Sequence, residues 1–169
     1  VSTLLLVLHT PTAATRVLGG QLAAGAQDDA IEGVDVRVLS PDATTADDVL
    51  AADGLVLLCP ANFGYMSGLL KDLFDRTFLA VGGALGDDGG GTRTDAGGGT
   101  SDGGRLPWAL CVHGRYDTEG AVRSVESIAQ ALPWRRVAAP LQLLGDVGDD
   151  ERAAAYELGA TVAALLAVG

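Results

Sequence analysis

The chain is poor in cysteine, methionine, histidine and positive charge. Its 169 residues include two cysteines, one methionine and two histidines, and 11 Lys and Arg stand against 22 Asp and Glu. Cys59 and Cys111 make no disulfide framework, and neither a CxxC pair nor a Cys/His cluster suggests a metal. Both lie in apolar runs, as small buried hydrophobes do, and a reduced, cytoplasmic compartment fits them best. The net charge of −11 repels phosphates, so no nucleic acid and no acidic membrane surface is expected as a partner. The same charge keeps a protein soluble, and it can also steer a protein toward a basic partner. Long hydrophobic runs are missing too. Leu4 to Leu8 is far short of the ~20 residues of a membrane helix, and no basic stretch precedes it to suggest a secretory signal.

What is present is a regular alternation. Leu4–Leu8 is a run of strand length. Thr15 to Ala26 follows with Leu18, Leu22 and Ala26 at helical spacing. Val34 to Leu39 sets Val34, Val36 and Val38 against Asp35 and Arg37, the pattern of a half-buried strand. Thr45 to Ala52 reads as a short helix with Thr44 or Thr45 as its N-cap, and Leu55 to Cys59 as a third strand. Ser67 to Leu79 is a helix with Leu69, Leu70, Leu73, Phe74 and Phe78 as its apolar face. Pro107 to Val112 is a fourth strand and Thr118 to Leu132 a helix. Val137 to Leu144 is a fifth strand, placed at an edge because it contains Pro140. Asp149 to Val168 closes the chain as a helix with acidic residues at its start.

Strict strand–helix alternation predicts an α/β fold with a parallel sheet and helices on both faces. The first, third and fourth strands are continuous apolar runs, as strands covered on both sides should be. Five strands fit the doubly wound order 2-1-3-4-5, with the ligand outside their carboxyl ends where the order switches. One domain over residues 1–169 is expected. Residues 82–104, rich in Gly, Asp, Thr and Ser, read as a flexible insertion on its surface.

Three loops at those carboxyl ends carry the chemistry. After the first strand come Thr10, Pro11, Thr12, Ala13, Ala14 and Thr15. Their hydroxyls and the first N–H groups of the helix suit a phosphate. Arg16 reads as a solvated helix residue. After the third strand come Pro60, Ala61, Asn62, Phe63, Gly64 and Tyr65, with Pro60 expected to stop the strand and Gly64 to let backbone approach a flat ring. Lys71 and Asp75, at i and i+4, are expected to pair on the helix. After the fourth strand come His113, Gly114, Arg115 and Tyr116. A lone histidine at a strand end reads first as a structural hydrogen-bonding residue and second as a ligand contact.

The T-x-T-x-x-T spacing of Thr10–Thr15 resembles the FMN-phosphate loop of flavodoxins, with Ala13 where that loop usually has glycine. The run P-A-N-F-G-Y-M-S-G-L-L-K-D-L-F-D-R from Pro60 to Arg76 resembles the NAD(P)H-dependent FMN reductase and quinone reductase branch of the flavodoxin-like superfamily. All three loops occur in order, each after the corresponding strand. The resemblance implies FMN as cofactor, with Phe63 or Tyr65 against one side of the isoalloxazine and the His113–Tyr116 loop covering the other. It also implies an oxidoreductase that takes hydride from NAD(P)H and serves a flavin, quinone or protein acceptor. No dedicated catalytic side chain is required, because the flavin itself takes the hydride, and a homo-oligomer is compatible with this reading. The alternative is a non-enzymatic flavodoxin electron carrier for a basic redox partner, which the acidic surface favours. A third reading is a domain that has lost flavin and only binds a partner.

Overall fold

The computed structural model describes residues 1–85, 91–92 and 105–169. Its main sheet begins with β1 (Ser2–Leu8), flanked by β2 (Val34–Leu39) and β3 (Gly54–Asn62), with β7 (Leu106–Gly114) beyond β3. All these neighbours run parallel. The far edge is shared by two short parallel strands on the same side of β7, β8 (Trp134–Arg136) and β9 (Leu141–Leu144). The order is therefore the expected 2-1-3-4-5, with its last position divided. Pro140 lies in the gap between β8 and β9. It has no N–H to offer a ladder, and an edge is where such a break is tolerated.

Two further pairs are antiparallel. β4 (Tyr65–Met66) folds back on the end of β3, and β5 (Ala84–Leu85) pairs with β6 (Gly91–Thr92). The latter ladder falls within the stretch, residues 82–104, expected to be a flexible insertion. Residues 86–90 and 93–104 of that stretch lie outside the described residues.

Helices cover both faces. α1 (Ala13–Ala26) and α5 (Asp149–Ala167) lie on one; α3 (Gly68–Thr77) and α4 (Glu119–Ala129) lie on the other, with the short α2 (Ala46–Leu50). Strand alternation sorts the core accordingly. Leu5, Val7, Leu57 and Leu110 join the α3/α4 cluster, while Leu4, Leu6, Leu58 and Cys111 join the α1/α5 cluster. Cys59 and Cys111 are both buried but belong to opposite faces, so the sheet itself separates them. Burial pushes their thiols up to about 11 and about 12.

Some boundaries differ from the sequence pattern for local reasons. The buried stripe of α3 is Leu70, Leu73, Phe74 and Thr77, a strict i, i+3, i+4, i+7 set that leaves Leu69 exposed. Thr77 fits this stripe because its hydroxyl donates to Leu73 O at 2.7 Å. Val38 is exposed near the end of edge strand β2. Thr45 is the N-cap of α2, in a capping box with Asp48, while the Thr44 hydroxyl donates to Ser40 O.

The crossing of α1 and α5 positions the candidate site. A Cβ at Gly25 would stand 1.9 Å from Tyr156 O, and one at Gly159 would stand 2.1 Å from Leu22 O. Only hydrogen at both positions permits this approach, which fixes where the amino end of α1 points.

Candidate functional site

A cavity of about 700 Å³ opens at the carboxyl edge of the sheet. It lies between the start of α1 and the loop after β9, over the ends of β3 and β7. This is the switch point, where connections leave β1 and β3 toward opposite faces and where doubly wound folds hold ligands.

The wall at α1 consists of Thr12, Ala13, Ala14 and Val17. Thr12 is the N-cap. Its Oγ1 accepts from Thr15 N at 3.2 Å, and Thr15 Oγ1 accepts from Thr12 N at 3.0 Å. The two hydroxyls are also 2.8 Å apart. Thr15 is fully buried in this box, so its hydroxyl works within the helix start. The first intrahelical backbone bond runs from Arg16 N to Thr12 O. The amides of Ala13 and Ala14 precede that first turn, as the leading N–H groups of a helix do, and their residues line the cavity. Thr10 is half-buried, and Pro11 is exposed outside the lining.

The floor comes from β3 and β7. Pro60, Ala61 and Asn62 line the cavity, and β3 continues through Pro60 rather than stopping there. Leu58 O accepts from His9 N on the β1 side. Alternation points the nitrogen of Pro60 to that same side, where it has no N–H to offer His9 O, and the β1–β3 pairing ends at Leu8 and Leu58. Asn62 then pairs with Tyr65 across a two-residue turn of Phe63 and Gly64. Both turn residues have positive φ, 51° and 73°. This is the primed hairpin turn, in which Asn-Gly is the usual choice and a phenylalanine is strained. The Phe63 side chain is fully exposed, Tyr65 is 46% exposed and Tyr116 is 88% exposed. None of the three lines the cavity; they stand outside it on the same edge. Gly64 is held from below by α4: a Cβ at Gly120 would meet Gly64 O at 1.9 Å.

From β7 and the loop after it, His113, Gly114 and Arg115 complete the expected lining. His113 Nε2 lies 2.7 Å from Gly145 O. A carbonyl oxygen only accepts, so Nε2 carries the proton, and the structural role anticipated for this histidine is present. Gly145, Asp146 and Val147 also line the cavity and were not anticipated. Arg115 and Asp146 approach to 3.9 Å, and both are exposed.

His9 is a second residue the sequence did not single out. It directly follows β1, on the face opposite the cavity, with Nδ1 2.7 Å from Ser67 Oγ, and Ser67 is the buried N-cap of α3. Burial holds its pKa below the ordinary histidine value, against an opposing pull from Asp42. Arg76 ties the loop that carries Asp42 to α3 through Pro41 O and Thr44 O. Lys71 and Asp75 pair on α3 at 2.7 Å.

No family model matches the chain. A flavodoxin of Aquifex aeolicus is 38% identical over 71 residues, which are 42% of this chain and 37% of that protein. The match therefore spans little more than a third of that relative's length. Among solved structures, an archaeal flavodoxin superposes with a TM-score of 0.73 at 14% identity, covering 99% of both chains. A flavodiiron core from Synechocystis superposes with a TM-score of 0.71 at 12% identity, covering 99% of this chain and 36% of that one. The fold is flavodoxin-like.

Proposed function

We propose that the chain is an FMN-binding redox protein of one flavodoxin-like domain. The observation that carries the proposal is the cavity at the switch point. It is lined by the amino end of α1 and the ends of β3 and β7, and three exposed aromatic side chains stand on the same edge. The residues present fit that cofactor. The amides of Ala13 and Ala14, with the Thr12 hydroxyl, offer neutral donors and a helix amino end to a phosphate. Ala61 and Gly114 line the cavity without bulky side chains. Pro60 and Val17 supply apolar wall, and Phe63, Tyr65 and Tyr116 stand where they can lie against exposed ring surface.

FMN, when bound, supplies the capacity to accept and release one or two electrons. The chain binds and orients it, and the acidic surface opposes the negative charge that reduction adds. Because that work needs no acid or base from the protein, no catalytic side chain is assigned.

Electron carriage comes first among the redox roles, because both the curated relative and a full-length structural neighbour bear the name flavodoxin. The net charge of −11 suits a basic redox partner. The stretch from Pro60 to Arg76 favours the second reading, an NAD(P)H-dependent oxidoreductase. Rapid mixing of the FMN-loaded protein with NADH and with NADPH separates the two. A carrier leaves the flavin colour bleaching no faster than free FMN with either nucleotide. Fast bleaching with one of them makes the protein a reductase.

A further inference from the structure

The geometry points to His113 as the group that couples the reduction of a bound flavin to proton uptake by the protein; this rests on the FMN reading above. We propose that His113 takes a proton from water at Nδ1 when the ligand in the cavity gains electrons and negative charge.

The tautomer is fixed by the structure. Nε2 donates to Gly145 O at 2.7 Å, so the neutral ring has its acceptor at Nδ1, and only Nδ1 can gain a proton. The bond to Gly145 is compatible with both charge states. Protonation therefore leaves the ring in place and changes only the charge of the cavity wall. In register His113 stands between Pro60 on β3 and Leu143 on β9.

The rest of the wall offers little that competes. From α1 come Thr12, Ala13, Ala14 and Val17, and from β3 come Pro60, Ala61 and Asn62, all uncharged. The loops after β7 and β9 contribute Arg115 and Asp146, which face each other at 3.9 Å. Among the described lining residues, His113 is the one imidazole, the side-chain type that serves as a proton acceptor and donor under physiological conditions. A negative charge arriving beside it favours the imidazolium. By linkage, the imidazolium in turn favours the reduced ligand, so the midpoint potential must vary with pH around the histidine's own titration.

The test uses the two histidines of the chain, whose ring signals are separable by NMR with a His9→Gln variant as the assignment control. Each is titrated in the FMN-loaded protein, oxidised and then reduced with dithionite. The expected result is that His113 binds its proton about tenfold more tightly in the reduced state, a shift of about one pH unit, while His9 does not move. In His113→Gln, whose amide can still donate to Gly145 O, the FMN-loaded protein is expected to lose that part of the pH dependence of the midpoint potential, and an unchanged pH dependence would overturn the proposal. Identical His113 titrations in the two redox states would overturn the proposal and leave FMN binding intact. Failure of the protein to take up FMN would overturn the FMN reading, and this proposal with it.

Discussion

Gly120, in the first turn of α4, lies directly beneath the carbonyl of Gly64 at the tip of the β3–β4 hairpin, so close that a Cβ would stand 1.9 Å from that oxygen. The contact is backbone against backbone, and no rotamer can relieve it. Gly120→Ala is expected to push the hairpin off α4 and cost about 1–3 kcal/mol of stability, the range for overpacking. FMN affinity should fall with it, because Asn62 and Phe63 move with the tip. Urea unfolding and a flavin titration of the same variant check both; an unchanged midpoint would mean that the hairpin is not seated on α4.

Phe63 occupies a position that prefers asparagine. Phe63→Asn creates Asn-Gly, the favoured primed turn, and should stabilise the fold by about 1 kcal/mol, since left-handed backbone costs a bulky residue about 1–2 kcal/mol. If the exposed ring serves the ligand, the same change weakens FMN binding. A gain in melting temperature with a loss in affinity is the expected pair of results. A loss of stability would show that the Phe63 ring packs in solution.

Thr12 and Thr15 cap α1 reciprocally. Thr12→Ala should cost about 1 kcal/mol, the usual loss for a cap, and Thr15→Ala should also leave a void, since Thr15 is fully buried. Thr12→Ser retains the hydroxyl and is expected to restore both stability and FMN affinity. Equal FMN affinity in Thr12→Ala and the wild type would remove this hydroxyl from the phosphate site.

His9 makes stability depend on pH in a definite direction. Its folded pKa is lowered, chiefly by burial, so the unfolded chain binds the proton more readily than the folded one. Below the ordinary value of 6.5 stability therefore falls as pH falls, until the folded ring is protonated too; above it, His9 adds no slope. Denaturant midpoints between about pH 5 and 8, compared with those of His9→Gln, should show a shallower acid-side loss in the variant.

The fold was legible because its central strands are uniform apolar runs and its helices keep strict stripes, as Leu18, Leu22 and Ala26 do on α1. Strand interruption was not. Pro140 marked an edge, but only the register of Trp134–Arg136 and Leu141–Leu144 on β7 reveals two strands sharing it. In the site, Pro60, Ala61, Asn62, His113, Gly114 and Arg115 were legible because they directly follow or end apolar runs. Gly145 to Val147 were equally exposed to that reasoning, since they follow the last strand, yet they carry no motif. Thr15 was expected as a ligand donor; its hydroxyl partners Thr12, which a hydroxyl in a sequence does not disclose. The strain at Phe63 is a backbone property with no sequence signature beyond the glycine that follows it.

The most direct measurement is a titration of the purified protein with FMN, followed by flavin absorbance and fluorescence. The expected result is saturable binding of one FMN per chain, with altered flavin fluorescence and weaker binding in Gly120→Ala. Unperturbed flavin spectra at FMN concentrations up to about a millimolar, the weak end of specific affinity, would contradict the assignment of the cavity.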